Sequence, residues 1–120
     1  EDTQTKPNEN PDQASIVSKY KSTLSSLQSK YEGELSSLVS QAKSEYDEGK
    51  NDPNFSVTEL YKKYEGLGRS LEGQADSEVE SVLSELEEEL KSNGYDTSIV
   101  DDLRSQYEEA KEDKEDSILP

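Results

Sequence analysis

Apolar residues recur at every third or fourth position along most of this chain. The first run is Val17, Tyr20, Leu24, Leu27, Tyr31, Leu35, Leu38, Ala42 and Tyr46. Its mean step of about 3.6 residues is the period of an α-helix with one buried face. Within the run, Ser18-Lys19-Tyr20 with Leu24-Ser25-Ser26-Leu27 returns as Ser29-Lys30-Tyr31 with Leu35-Ser36-Ser37-Leu38. A repeat of about eleven residues makes three helical turns, so both copies put Tyr and Leu on one face of a nearly straight helix. A second run is Val57, Leu60, Tyr64, Leu67, Leu71, Ala75, Val79, Val82, Leu86 and Leu90; a third is Ile99, Leu103, Tyr107 and Ala110.

Terminal signals bound these runs. Residues 1–9, EDTQTKPNE, are polar and read as a flexible tether. Asn10 is the predicted N-cap of the first helix, with Pro11 in its first turn and Gln13 as a capping-box partner. That helix is expected over about 11–48, with Gly49 in a left-handed C′ position. Ser56 and Glu59 form the next capping box, flanked by Phe55 and Leu60 as a hydrophobic staple, and open a helix over about 57–92. Asn93 and Gly94 end it, with Tyr95 folding back on Leu90 as in a Schellman turn. Ser98 and Asp101 open a third helix over about 99–114, and residues 117–120 are expected to fray.

Two long helices of equal length joined by a short loop predict an antiparallel hairpin. Facing residues should have numbers summing to about 105 on a loop-centred register. Leu38 then meets Leu67, Leu24 meets Val82, and Tyr46 meets Leu60. The third helix is shorter and must return over the far half of the second. The fold class is therefore all-α, an elongated three-helix bundle: one domain over 10–116, three helices thick at one end and two at the other. At the two-helix end Leu35, Val39, Val57 and Tyr61 lack a third layer, and they are the candidate interaction surface. Gly66, Gly68 and Gly73 interrupt the second helix where it should pass Gly33. Close backbone approach would explain them; so would a kink or break at Gly66–Gly68, the favoured account. Lys30-Tyr31-Glu32-Gly33 also returns as Lys63-Tyr64-Glu65-Gly66, by duplication or by low-complexity drift.

Composition refines this picture. The chain of 120 residues carries 29 Asp and Glu against 13 Lys and Arg, a net charge of −16. Leu, Ile, Val and Phe together are only 22 of the 120 residues, too few for a compact globule but enough for a thin helical seam. Strong acidity repels nucleic-acid phosphates and anionic membrane surfaces. No apolar run approaches the ~20 residues of a membrane span, so no membrane insertion by this segment is expected.

The chain contains neither His nor Cys, which removes thiol nucleophiles, His-based triads and the usual zinc or haem ligands. Gly66-Leu67-Gly68 follows no strand and lacks the third glycine of a dinucleotide loop. The Asp47–Asp52 loop does not follow the spacing of a calcium-binding EF-hand. Glu85, Glu87, Glu88, Glu89 and the acids of 108–116 read as a solvated face. Tyr20 and Tyr31 form a ladder that a glycan would suit, but both fall in the apolar stripe and read as packing residues. Asn54-Phe55-Ser56 matches a glycosylation acceptor whose Ser is already committed to capping. No catalytic residues, cofactor or metal site are expected.

The phrases SKYEGELSSLVSQAKSEY and SEVESVLSELEEELKSNGYDTSIVDDLRSQYEEAK resemble helical regions of uncharacterised exported proteins of low-GC Gram-positive bacteria, some of them lipid-anchored. The resemblance covers most of residues 16–111 and implies an extracytoplasmic address, at the cell envelope or secreted, with residues 1–9 as a tether. The expected function is a non-catalytic interaction or spacer module whose apolar seam serves a protein partner or self-association. The alternative is a soluble acidic binder of ligands or cations.

Overall fold

The computed structural model describes residues 12–118. Three helices follow in order: α1 Gln13–Gly49, α2 Val57–Ser92 and α3 Ser98–Ile118. No strand occurs among the described residues. The first two helices, of 37 and 36 residues, pack antiparallel, and the 21-residue α3 lies against both. The result is an elongated three-helix bundle measuring 76 × 23 × 19 Å. Its radius of gyration is 20.4 Å, against about 14 Å for a compact chain of this length.

Capping chemistry sets the helix ends. α1 starts later than the pattern predicts: Asp12 is its N-cap, with a carboxylate accepting the Ser15 N–H at 2.8 Å. Asn10 and Pro11, to which the sequence assigns the cap, lie outside the described residues, as does the 1–9 tether. The Gln13 side chain donates to the Asp96 carbonyl at the foot of α3. Ser56 caps α2 as predicted, accepting the Glu59 N–H at 3.2 Å. The C-terminus of α2 is a Schellman turn: the Tyr95 N–H donates to the Leu90 carbonyl and the Gly94 N–H to that of Lys91. Gly94 has φ +76°, the left-handed conformation that this turn requires. α3 continues through Ile118 rather than ending near residue 114, as Lys111 and Glu115 hold its last turns against the hairpin.

Gly49 is not the expected left-handed cap; its φ is not positive, and α1 closes with the Lys50 N–H on the Tyr46 carbonyl. It is needed for space instead, because a Cβ there would fall on the Phe55 ring, which meets Tyr46 edge-on at 6.1 Å. Neither close backbone approach nor a break in the helix accounts for the other glycines. α2 runs unbroken through Gly66, Gly68 and Gly73, and a Cβ on any of them, or on Gly33, would meet nothing within 4 Å. Opposite signs follow for one substitution. Gly66→Ala and Gly73→Ala should each stabilise by about 0.5–1 kcal/mol. Gly49→Ala should destabilise by about 1–2 kcal/mol through overpacking. Urea titrations followed by circular dichroism check both.

The main core sits at the three-helix end. Ile16, Val79, Leu83, Leu86, Leu90, Val100, Leu103 and Tyr107 are buried there in one cluster. A smaller cluster of Tyr31, Leu35 and Ala75, with Leu71 packed on it, continues toward the loop. Three stripe positions move. Ile16 rather than Val17, Leu83 rather than Val82, and Val100 rather than Ile99 are buried, and each displaced residue is only half covered. All three changes have one cause: α3 packs beside the α1–α2 seam, so the buried face rotates toward it. Leu67, predicted to meet Leu38, is 43% exposed because α3 does not cover its side of α2.

Candidate functional site

Three Lys-Tyr dipeptides bridge the helices of the bundle. Lys19 Nζ and the Tyr20 hydroxyl both reach Glu89, at 3.1 and 2.8 Å. Near the loop the arrangement recurs with the helices exchanged: Lys63 and Tyr64 of α2 both donate to Glu45 of α1. In the middle copy the pair divides, with Lys30 on Glu78 at 3.5 Å and the Tyr31 hydroxyl on Glu115 of α3 at 2.6 Å. The ion pairs Lys19–Glu89, Lys30–Glu78 and Glu45–Lys63 each sum to 108, about one turn from the predicted 105. The sequence echoes are thus cross-helix pairing elements. Spacing alone showed the repeated donors; which acid each finds depended on the register.

These bonds shift the groups involved. Glu45 is held below the usual carboxylate range by the Tyr64 hydroxyl and then Lys63, and Glu89 by Tyr20 and then Lys19. Burial and the Glu89 bond push the Tyr20 hydroxyl up to about 12. Burial first, then Glu115 and Asp76, push Tyr31 and Tyr107 higher still. In the unfolded chain these hydroxyls would ionise near 10. Their neutral forms therefore contribute stability that is complete below about pH 10 and lost as pH rises toward 12 and beyond. An alkaline titration of tyrosinate absorbance should show a late phase coinciding with loss of helix by circular dichroism; Tyr31→Phe should shrink that phase.

Beyond the end of α3 the two long helices are left uncovered, and a groove of about 810 Å³ runs between them. Leu35, Leu38, Val39, Ala42 and Tyr46 of α1 form one wall; Tyr61, Tyr64 and Gly68 of α2 form the other. Glu115 of α3 stands at its mouth beside Tyr31. Charged side chains line the rim: Lys43, Asp47, Glu65, Arg69 and Glu72. Of the predicted surface, Leu35, Val39 and Tyr61 line this groove, and Tyr61 is 65% exposed. Val57 is exposed at the start of α2 but is not among the lining residues. Tyr46 and Gly68 were not singled out as surface, because the stripe assigns Tyr46 to the seam and a glycine gives no hydrophobic signal. The open space beside Gly68 leaves α2 without a side chain at that point of the wall.

A second hollow of about 300 Å³ is lined by Ser40, Gln41, Ser44, Glu45, Glu48 and Tyr64. Each of these residues carries a polar group, and Glu45 is already engaged by Lys63 and Tyr64. Among the described residues no group of three or more acids is gathered so as to hold a metal ion. In the Asp47–Asp52 loop, Asp47 pairs with Lys50 at 3.4 Å and Asp52 accepts the Asn54 N–H at 2.9 Å. No helix among the described residues is long and apolar enough to cross a membrane. Compared with protein-family models, curated proteins and solved structures, the chain matches none.

Proposed function

We propose that this chain is a non-catalytic helical interaction module. The three-helix end forms a stable body, the hairpin serves as a stiff spacer, and the groove at the loop end takes up a partner helix. One observation carries this reading: α3 stops short, leaving an apolar cleft of about 810 Å³ between two helices that elsewhere are covered by a third. A cleft of this shape fits an amphipathic helix, whose apolar stripe fills it while its polar face stays in water. The resemblance to exported Gram-positive proteins supports an extracytoplasmic setting, in which a rod would hold the groove away from its tether.

The chain has no tryptophan, so a Trp-bearing peptide can report docking alone. A neutral peptide with a Leu/Trp stripe and a Ser/Gln outer face should show blue-shifted fluorescence on mixing, and Val39→Asp should abolish the shift. Wild-type protein producing no shift at high micromolar concentration would refute the reading.

A further inference from the structure

We infer that the occupant of the groove is a basic amphipathic helix, seated in line with α3. This rests on the docking reading above and specifies the partner's chemistry.

Continuity gives the position. Contacts from Arg104 to Glu80 and from Lys111 to Asp76 and Glu72 run α3 antiparallel to α2, toward the loop. Its Glu115 enters the mouth of the groove. From Leu35 to Tyr46 the remaining groove is about 17 Å long, or roughly three helical turns. Residues 1–11 do not supply this segment. They begin their reach at Asp12, and Leu35 lies about 35 Å farther along α1. Fully extended, they span about 40 Å and would touch only the groove's near edge.

Charge gives the partner. Asp47, Glu65, Glu72 and Glu115 border the groove against Lys43 and Arg69, four carboxylates to two cations. Arg69 already pairs with Glu65, and Lys50, just outside the lining, pairs with Asp47, which leaves Glu72 and Glu115 facing Lys43 and, at the mouth, Lys111. At the mouth, Lys111 serves Glu72, Asp76 and Glu108 together, again fewer cations than acids. A helix with Lys or Arg flanking its apolar stripe supplies the missing charge. A second copy does not: each chain carries −16, and like charges of that size oppose close approach.

Three Trp-bearing peptides of about 12 residues test this, sharing one Leu stripe and differing in outer face: Lys/Arg, Ser/Gln or Glu. Peptides this short are barely helical alone, so docking reads as gained ellipticity together with blue-shifted fluorescence. The basic peptide should bind at least tenfold tighter than the acidic one at low salt, and the gap should shrink as salt rises. Asp47→Lys with Glu65→Lys should erase the preference. Gly68→Leu should melt no lower than the parent yet weaken binding at least tenfold, separating blockage of the groove from loss of fold. If neutral and basic peptides bind equally, the charge inference fails while the docking reading stands. If none binds, both fail. If sedimentation shows the chain alone pairing at low micromolar concentration, with Gly68→Leu restoring the monomer, the occupant is a second copy and the inference is overturned.

Discussion

Leu86→Ala should lower the unfolding free energy by about 3–4 kcal/mol, among the largest effects of any single side-chain truncation here. Leu86 is 0% exposed and packs in the cluster that joins all three helices. The truncation loses the transfer energy of the removed carbons and leaves a cavity that three long helices cannot easily close. A domain with so thin a core should sit near the low end of the usual ~5–15 kcal/mol, so the loss is a large share of the total. The melting temperature should fall by more than 10 °C, at roughly 4 °C per kcal/mol. Leu67→Ala removes the same atoms from a residue 43% exposed and should cost less than about 1 kcal/mol. Urea titration by circular dichroism compares them. Equal costs would mean that stability is spread evenly along the rod, contrary to the packing.

Lys111→Met should be the largest effect of removing a charge, about 2 kcal/mol. Lys111 is 8% exposed, and its ammonium lies 2.9 Å from Asp76, 3.0 Å from Glu72 and 3.2 Å from Glu108. It also sits over the Tyr107 ring, whose hydroxyl donates to the same Asp76. Burial disfavours the ammonium, but these carboxylates outweigh it and raise the Lys111 pKa. Removing the cation leaves three carboxylates crowded beside α3. Breaking a fully buried pair costs about 3–5 kcal/mol. The acids here are 37%, 40% and 55% exposed, so water recovers part of that. Added salt should restore some of the loss by screening the repulsion. Lys50→Met, at the exposed pair with Asp47, should change stability by less than about 0.5 kcal/mol. Thermal melts at low and high salt decide the matter; a Lys111→Met protein as stable as the parent would show that the three acids need no cation.

The two predictions bear on the groove differently. Leu86 secures the body that carries α3, whereas Lys111 anchors the last turns of α3 at the mouth of the cleft. A Lys111→Met protein that stays folded but frays after about residue 108 should show a longer and more acidic groove. Hydrogen exchange along α3 would detect that fraying directly.

Of the four residues singled out from sequence as an uncovered surface, Val39 and Tyr61 line the groove, and Leu35 lines it as a buried residue of the second cluster. The reasoning behind them was one of lengths: a short third helix cannot cover two long ones. Val57 is exposed but lies outside the groove, because that reasoning locates an end of the bundle and not a side of it. The Lys-Tyr dipeptides were visible as repeats, but their role was not, since a repeated donor says nothing of the acceptor until two helices are set side by side.

The chain by itself determined its helices. Apolar spacing, the Ser56 cap and the Gly94 turn act within one or two turns of backbone, and their physics is local. Tertiary structure decided which neighbour of each paired apolar position was buried: Ile16 over Val17, Leu83 over Val82, Val100 over Ile99. Adjacent positions on a helix differ by about 100° of rotation. A two-helix pattern cannot choose between them, because the choice depends on where the third helix lies. The same third helix, by ending where it does, leaves the groove open.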